Sequence, residues 1–541
     1  MTRRFLQIAL LVLAVVGARP AAAASGSLDP DFGTGGVVTT EVPGSSSANA
    51  VTLQGDGKIV VAGNAGGDVA IARYAANGTI ETGFGTGGTG YEAVNVGPAA
   101  KAQAVGILSN GSFLTVGGAN RFQVVLFAPG GGVVGDDSVS TAAYWAYGLA
   151  VKPDDGFVMV GEANNARGTC TLVSFTSAFE GEDGFGTNGR ATSEVGTCRA
   201  VVRLADGRLV VTIDEDADGV RGFGIARFTA TGELDGSFGI GGLNQAFADS
   251  SAFVRALARQ PDGKYVVVGQ AGTGLATPKS IVVARFDENG ILDPGFGTGG
   301  VVVIGLTGSP IALVGRAVVI DAAGNIVVGG VATGPSNVKD GGGPSVFLLL
   351  RLLPDGTPDL SFGDDGAGAV FTGFGTGSDA ELQAMALQSD GKVVAVGSAC
   401  TSGICSFALA RYVLSAPVPV TTTTIPGGGG STGCEGRAGF DGLGCLCAAG
   451  LTKAACSGQT AAASIGNTFR KACAAVDKAS AATKDKKLRK NLKRAKTFLK
   501  QASTHTRRQA KKKKRGITAD CAASLEAVFS SGRALADATV P

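Results

Sequence analysis

Histidine is nearly absent from this chain: His505 is the only one in 541 residues. A Ser-His-Asp triad upstream of the C-terminal region is thereby excluded, as is a multi-histidine metal site, because both need imidazole. Tryptophan occurs once, methionine three times, and aromatic residues make up 6%. So few aromatics argue against base stacking, and no nucleic-acid partner is expected. Walker-type phosphate loops are missing as well. GDGK at 55–58 and PDGK at 261–264 lack the upstream part of that pattern and the Ser or Thr after the lysine. Apolar runs long enough to span a bilayer are also lacking. The N-terminal run Phe5 to Val16 has twelve residues and falls short of a span. Preceded by Thr2-Arg3-Arg4 and followed by Ala21 to Ala24, it reads as a signal peptide over residues 1–24, cut before Ser25. No Cys stands at that cut to take a lipid. The mature chain is therefore expected to lack a transmembrane segment and to be secreted, periplasmic or at the cell surface.

Glycine is plentiful, with 87 residues, and 44% of the chain is hydrophobic. That is roughly twice the usual Gly share of about 7%. Glycine together with many Val, Ile and Leu points to short strands and tight turns. The glycines are organised. SLDPDFGTGG at 27–36 recurs as GFGTGG at 83–88, GFGTNG at 184–189, SFGIGG at 237–242, LDPGFGTGG at 292–300 and SFGDDG at 361–366. A turn triplet recurs seven times, at 55–57, 109–111, 154–156, 205–207, 261–263, 322–324 and 389–391. The strand that follows recurs as IARY, IARF, VARF, LLRL and LARY, with worn copies at 124–131 and 171–177. A decayed signature lies near Phe127 to Asp136. The units are therefore seven, each of roughly 45 to 67 residues. Strand alternation around an Asp-Gly turn is a strong hairpin signal. Three or four strands repeated seven times match the blades of a β-propeller. The last unit lacks a strand like Val37 to Glu41, and the first unit has one in front. That segment is expected to complete the seventh blade and leave no open sheet edge.

Composition then changes. PVPVTTTTIPGGGGSTG at 417–433 reads as a linker. Beyond it, Leu488, Leu492, Ala495, Leu499 and Ala502 recur at helical spacing. Helices are expected over about 461–480, 484–512 and 519–537. From Cys434 onward there are 22 Lys and Arg against 7 Asp and Glu, a net of +15 on a chain whose total is +3. The sequence thus predicts an all-β, seven-bladed β-propeller over 25–415, closed by its N-terminal strand. A linker over 416–433 and a small, basic, disulfide-bonded α-helical domain over 434–541 follow.

Units of the form LDPxFGxGGVV, DGKIVVAG and FALARY resemble the delta-60 repeat family of bacterial exported proteins, over about residues 27–412. The resemblance implies a propeller-like fold and carries no catalytic residue.

Several motifs have a structural and a functional reading. Gly83, Gly85 and Gly88, like Gly295, Gly297 and Gly300, fit a dinucleotide fingerprint. That fingerprint needs a helix after it, whereas strand-like sequence follows here, so a structural turn with a buried Phe is expected. Arg73, Arg227, Arg285, Arg351 and Arg411 share one strand position, and Asp29, Asp235, Asp293 and Asp359 recur in the next connection. A repeated Arg–carboxylate bridge is the favoured reading; a ring of Arg on a binding face is the other. Asp214, Asp216 and Asp218 lie in a D-x-D-x-D-G run that could hold calcium, although Gly222 and Ile225 stand where an EF-hand continues. The alternative is a solvated hairpin tip. No other cofactor is expected. Cys400 and Cys405 could bridge a hairpin, and Cys170 and Cys198 could join consecutive blades. Cys434, Cys445, Cys447, Cys456, Cys473 and Cys521 could form three further bridges. The run Lys511, Lys512, Lys513, Lys514, Arg515 could attract anionic envelope polymer or lipid headgroups, dock on the acidic propeller, or be a solvated face. The reading that follows is a non-catalytic exported binding or scaffold module for a protein or glycan. The alternative is a hydrolase or lyase acting on polysaccharide through carboxylates at the central face.

Overall fold

The computed structural model describes residues 25–414, apart from short segments at 98–99, 119–121, 139–142, 164–168, 215–221, 249–251, 273–279, 306–311, 335–344 and 364–367, together with residues 471, 490, 493–498, 500 and 501. The chain divides into two compact units, Met1–Pro417 and Val418–Pro541.

Among the described residues the first unit is all β. Its strands form seven four-stranded antiparallel sheets. The run Ile59-Val60-Val61-Ala62 shows why these segments become inner strands. Ile59 and Val61 face the preceding blade and pack with Val394 and Leu409. Val60 and Ala62 face the following blade and pack with Phe113 and Phe127. A strand with both faces buried reads as continuous hydrophobic sequence rather than as alternation. The core accordingly lies in apolar layers between blades.

The first strands of the blades are Ser46–Leu53, Ala102–Ile107, Ala143–Val151, Cys198–Arg203, Phe253–Arg259, Ala312–Ile320 and Asp379–Leu387. Each contacts the first strand of the next blade, and the last contacts the first, in a closed circuit around an axis.

Strand Val37–Thr40 pairs with Ile404–Val413, with Val37 opposite Ala410 and Thr40 opposite Phe407, and so forms the outer strand of blade 7. The seam lies inside a single turn. In blade 1 the Gly78 amide donates to Ala75 O and the Ala75 amide to Thr79 O. In blade 7 the Gly26 amide donates to Val413 O and the Val413 amide to Ser27 O. Ser25 Oγ adds a 2.7 Å bond to Leu414 O. Ser25 and Gly26 therefore supply the second half of a turn that Val413 and Leu414 begin.

One expected turn sits a residue away from its place. In blade 3 the positive φ of 66° falls on Asp155, the middle residue of the 154–156 triplet, where other blades have Gly57, Gly111 or Gly207. The Lys152 amide binds Gly156 O, as the Gln54 amide binds Lys58 O, so Asp154 is the equivalent of Asp56.

In the second unit the ten described residues are helical. They do not amount to the helical domain expected there. The remainder of that region, with the six cysteines Cys434, Cys445, Cys447, Cys456, Cys473 and Cys521 and the basic run Lys511, Lys512, Lys513, Lys514 and Arg515, lies outside the described residues. So does the N-terminal segment 1–24.

Candidate functional site

The recurring arginines build clamps between blades. Arg285 Nε lies 2.9 Å from Asp293 Oδ2. Its guanidinium sits 4.6 Å over the Phe296 ring, and its Nη1 donates to Pro354 O of the next blade. Arg73, Arg227, Arg351 and Arg411 repeat this with Glu81, Asp235, Asp359 and Asp29. Their rings are Phe84, Phe238, Phe362 and Phe32, and their next-blade carbonyls belong to Pro129, Glu288, Leu414 and Ala76. The Phe in turn covers the next blade's turn glycine. A Cβ on Gly78 would lie 2.8 Å from Phe32 Cε2, so Gly, already at φ 86°, is the residue that fits. Burial alone would raise the Asp29 carboxyl, but hydrogen bonds from Lys392 and the Asp31 amide, with the Arg411 charge, hold it below the ordinary range. Ser237 first, then Arg227, depress Asp235 to about 2.

Two blades depart from this plan. In blade 3, Ser174 replaces the arginine, and Lys152 comes from the hairpin turn to bind Glu182 at 2.7 Å. In blade 2, Leu126 stands at the arginine position, Val134 eight residues on at the carboxylate position, and Asp137 eleven on where Phe belongs. The missing ring returns from the other side. Phe179 of blade 3 occupies the place of the turn glycine, at φ 63°, and lines a recess of about 200 Å³ with Val124, Leu126 and Val134. The arginines are thus structural members, buried and paired within the blades, and are not a ring on an open face.

A different ring does surround the axis. The first strand of every blade carries a β-bulge, at Ala48/Ala50, Ala102/Ala104, Ala146/Gly148, Cys198/Val201, Val254/Ala256, Gly315/Ala317 and Leu382/Ala384. A bulge re-aims the extra side chain. The residues within these bulges include Asn49, Gln103, Tyr147, Arg199, Arg255, Arg316 and Gln383, all polar, in strands that are otherwise largely apolar. They reach from blade to blade. Asn49 Nδ2 donates to Ala102 O at 2.9 Å. Arg199 lies 4.6 Å over the Tyr147 ring, and Arg316 Nη1 donates to Gln383 Oε1 at 2.9 Å. Burial pushes the Tyr147 phenol up, so it stays neutral.

Carboxylates approach this ring as partners of its arginines. Arg199 Nε binds Asp214 Oδ2 at 2.5 Å, and Arg316 Nη2 lies 3.4 Å from Glu381 Oε2. Glu162 accepts from the Thr197 hydroxyl at 3.3 Å. Asp214, the first residue of the candidate calcium loop, is thus buried and held by a cation, while Asp216 and Asp218 lie outside the described residues. No cluster of metal-binding side chains occurs among the described residues. Cys170 and Cys198 form a disulfide between the third strand of blade 3 and the first of blade 4, with Cα atoms 5.0 Å apart. Cys400 and Cys405 form a second, across a hairpin whose turn, Ser402-Gly403, has both φ values positive. Spacing held the signal for the ring: each of its seven members stands seven residues before the second residue of its hairpin turn, as Asn49 does before Asp56.

Solved structures similar to this chain include a protein from Lactobacillus plantarum, 13% identical over 60% of this chain and 88% of that one, with a TM-score of 0.33. YCF48 from Cyanidioschyzon merolae is 10% identical over 69% and 98%, with a TM-score of 0.38. Trypanosoma rangeli sialidase in complex with sialic acid is 13% identical over 72% and 60%, with a TM-score of 0.31. No match is found among curated proteins. Residues 54–84, 197–238, 260–296 and 324–362, each ending on a signature Phe, match the model of a family described as "Domain of unknown function (DUF5122) beta-propeller".

Proposed function

We propose that this chain is an exported, non-catalytic binding module of the delta-60 repeat type. The propeller presents its axial face to a protein or glycan partner, and the basic C-terminal region holds it on anionic envelope material. One observation carries this reading. Seven equivalent backbone positions, otherwise set in largely apolar strands, all bear polar side chains, several of which reach the neighbouring blade. Where such groups go unpartnered, as at the Nε atoms of Arg255 and Arg316, burial costs free energy without improving the core, a cost that a ligand would offset. Two disulfides suit an oxidising compartment outside the cytosol. No helix among the described residues is long and apolar enough to cross a membrane. The carboxylates near the axis favour binding over hydrolysis, since Asp214 and Glu381 are each engaged by an arginine.

The test uses the full mature chain in a glycan array and a pull-down from envelope extract, beside Gln103→Ala and Asn49→Ala variants. Retention of a defined partner, weakened by either variant without loss of thermal stability, supports the axial site. Partner binding that both variants leave unchanged overturns it. Release of reducing ends from any polysaccharide in a panel establishes the hydrolase reading instead.

A further inference from the structure

We propose that Arg199, Arg255 and Arg316, contributed by three consecutive blades, form the binding site for the carboxylate of an acidic sugar, a uronate residue of an envelope polysaccharide. The proposal rests on the axial binding face described above and names its ligand class.

The three arginines differ in how they are satisfied. Arg199 is held by Asp214 and stacked on Tyr147. Arg316 is held by Gln383 and Glu381. Arg255, between them, has no ion-pair partner among the described residues, and its nearest ring is Phe253, at 5.9 Å. Its Nε is buried without a hydrogen-bond partner, and so is the Nε of Arg316. Burial first, and then the charges of Arg199 and Arg316, lower the Arg255 pKa to about 10, against the opposing pull of Asp214 and Tyr147. It therefore remains a cation at neutral pH. A guanidinium held between two others, with unfilled donors, is unfavourable on its own and favourable around an anion. Arginine forks match carboxylate oxygens in shape as well as in charge.

A structural role alone does not account for Arg255. The arginines that hold the blades together each take a carboxylate, a ring and a carbonyl, whereas among the described residues Arg255 has only the distant ring and a buried Nε without a partner. Neighbouring groups favour a sugar over other carboxylates. Trp145, the chain's single tryptophan, and Phe253 each stand two residues before a ring position in their strands. Both are half-buried and offer an apolar face to a pyranose. The amides of Asn49, Gln103 and Gln383 supply donors and acceptors for hydroxyls.

Trp145 also reports on the site. The full mature chain is titrated with trigalacturonate, with neutral galactotriose, and with an N-acetylated tripeptide bearing a free C-terminal carboxylate. Trp145 fluorescence and calorimetry are the readouts. Trigalacturonate is expected to bind and to shift the emission, with affinity falling as salt rises, while galactotriose binds at least about tenfold more weakly. Arg255→Gln is expected to lower trigalacturonate affinity by about tenfold or more, equivalent to about 1.4 kcal/mol, with Arg255→Lys intermediate. The Gln variant's melting temperature should hold or rise, since a like charge has been removed. A lower melting temperature with unchanged affinity gives Arg255 a structural role and overturns the proposal. Galactotriose binding equally well, or the tripeptide binding more tightly, overturns the acidic-sugar assignment. Silence of trigalacturonate, where Gln103→Ala still abolishes binding of another partner, refutes this inference and leaves the binding-module reading standing. Silence on every arm removes both.

Discussion

Replacing Arg351 by Met tests the clamp most severely, because among the described residues blade 6 gives its carboxylate no second cation. Arg351 Nη2 lies 2.7 Å from Asp359 Oδ2, and Nε donates to the same oxygen at 2.8 Å. Both side chains are about one-tenth exposed, at 9% and 11%. Asp359 Oδ1 is taken by the amide and hydroxyl of Ser361. Met fills most of the volume but strands a buried carboxylate, which costs roughly 3–5 kcal/mol. The Leu414 carbonyl also loses a donor, and the contact with Phe362 is lost. Arg285→Met is the control. There Lys264 Nζ remains 3.0 Å from Asp293 Oδ2, on a side chain one-third exposed. Its cost should be smaller, by about 1–2 kcal/mol. The double variant Arg351→Leu with Asp359→Val reproduces the pair that blade 2 uses, Leu126 and Val134. Removing both charges should recover at least half of the single-variant loss, since a buried ion pair contributes little beyond an apolar one of similar volume. Urea unfolding followed by circular dichroism reads all three variants against the parent. Equal losses for Arg351→Met and Arg285→Met, or a double variant no better than the single, would refute the account of the clamp as a desolvated pair held by mutual neutralisation.

The clamps also predict acid sensitivity. The Asp29, Glu182, Asp235, Asp293 and Asp359 carboxyls are all held below their ordinary values. Groups depressed in the folded state stabilise it fully above the unfolded value of about 4, and that stability is lost as pH falls through the folded values. Urea midpoints should decline from about pH 5 towards about pH 2, and a flat profile there would contradict the assignment. Phe179→Gly removes a positive-φ strain of order 1 kcal/mol and a half-buried ring, worth about 1.5–3 kcal/mol if fully buried. A small net loss of stability is expected; thermal melts of the variant against the parent decide it. Removing the Cys170–Cys198 disulfide, which spans 28 residues, should cost about 3–4 kcal/mol, more than removing Cys400–Cys405, which spans 5. The reverse order of melting temperatures would show that the inter-blade link is not the stronger constraint.

Repetition made most of the fold legible. Turn glycines at matched spacing and the surplus strand at Val37 locate the blades and the seam, because both are local features. The pairing of Arg285 with Asp293 was legible for the same reason, being written into one unit. What spans two units was not. The contact from Phe32 to Gly78 joins neighbouring blades, so nothing within a unit shows why Phe179 stands at a turn position that holds Gly elsewhere. The hairpin at 154–156 misled by one residue, because Asp155 takes the conformation that Gly takes elsewhere. The axial ring was missed for a geometric reason. A bulge inserts one residue and shifts the parity of everything after it, so an alternation with period two passes over Asn49 and its six equivalents as irregularities.

Seven copies of one unit in a single chain separate what holds the ring from what it displays. Where the blades agree, as at Arg285, Asp293, Phe296 and Gly356, the residues are buried or set in tight turns, and each departure is met by a physical substitute. Lys152 stands in for an arginine, Leu126 and Val134 for an ion pair, and Phe179 for a ring lost across the blade boundary. Compensation of that kind marks positions where only the interaction matters. The bulge positions behave differently. They share polarity and geometry but run from Asn49 and Gln103 through Tyr147 to three arginines and Gln383, and the change from one to the next is met by no opposite change in the neighbouring blade. A ring that needed them only for folding would use one residue seven times, as it does at the turns. Chemical asymmetry on a symmetric frame is what a site needs to bind one end of a ligand differently from the other, and the cationic arc over blades 4 to 6 would give the proposed axial site its direction.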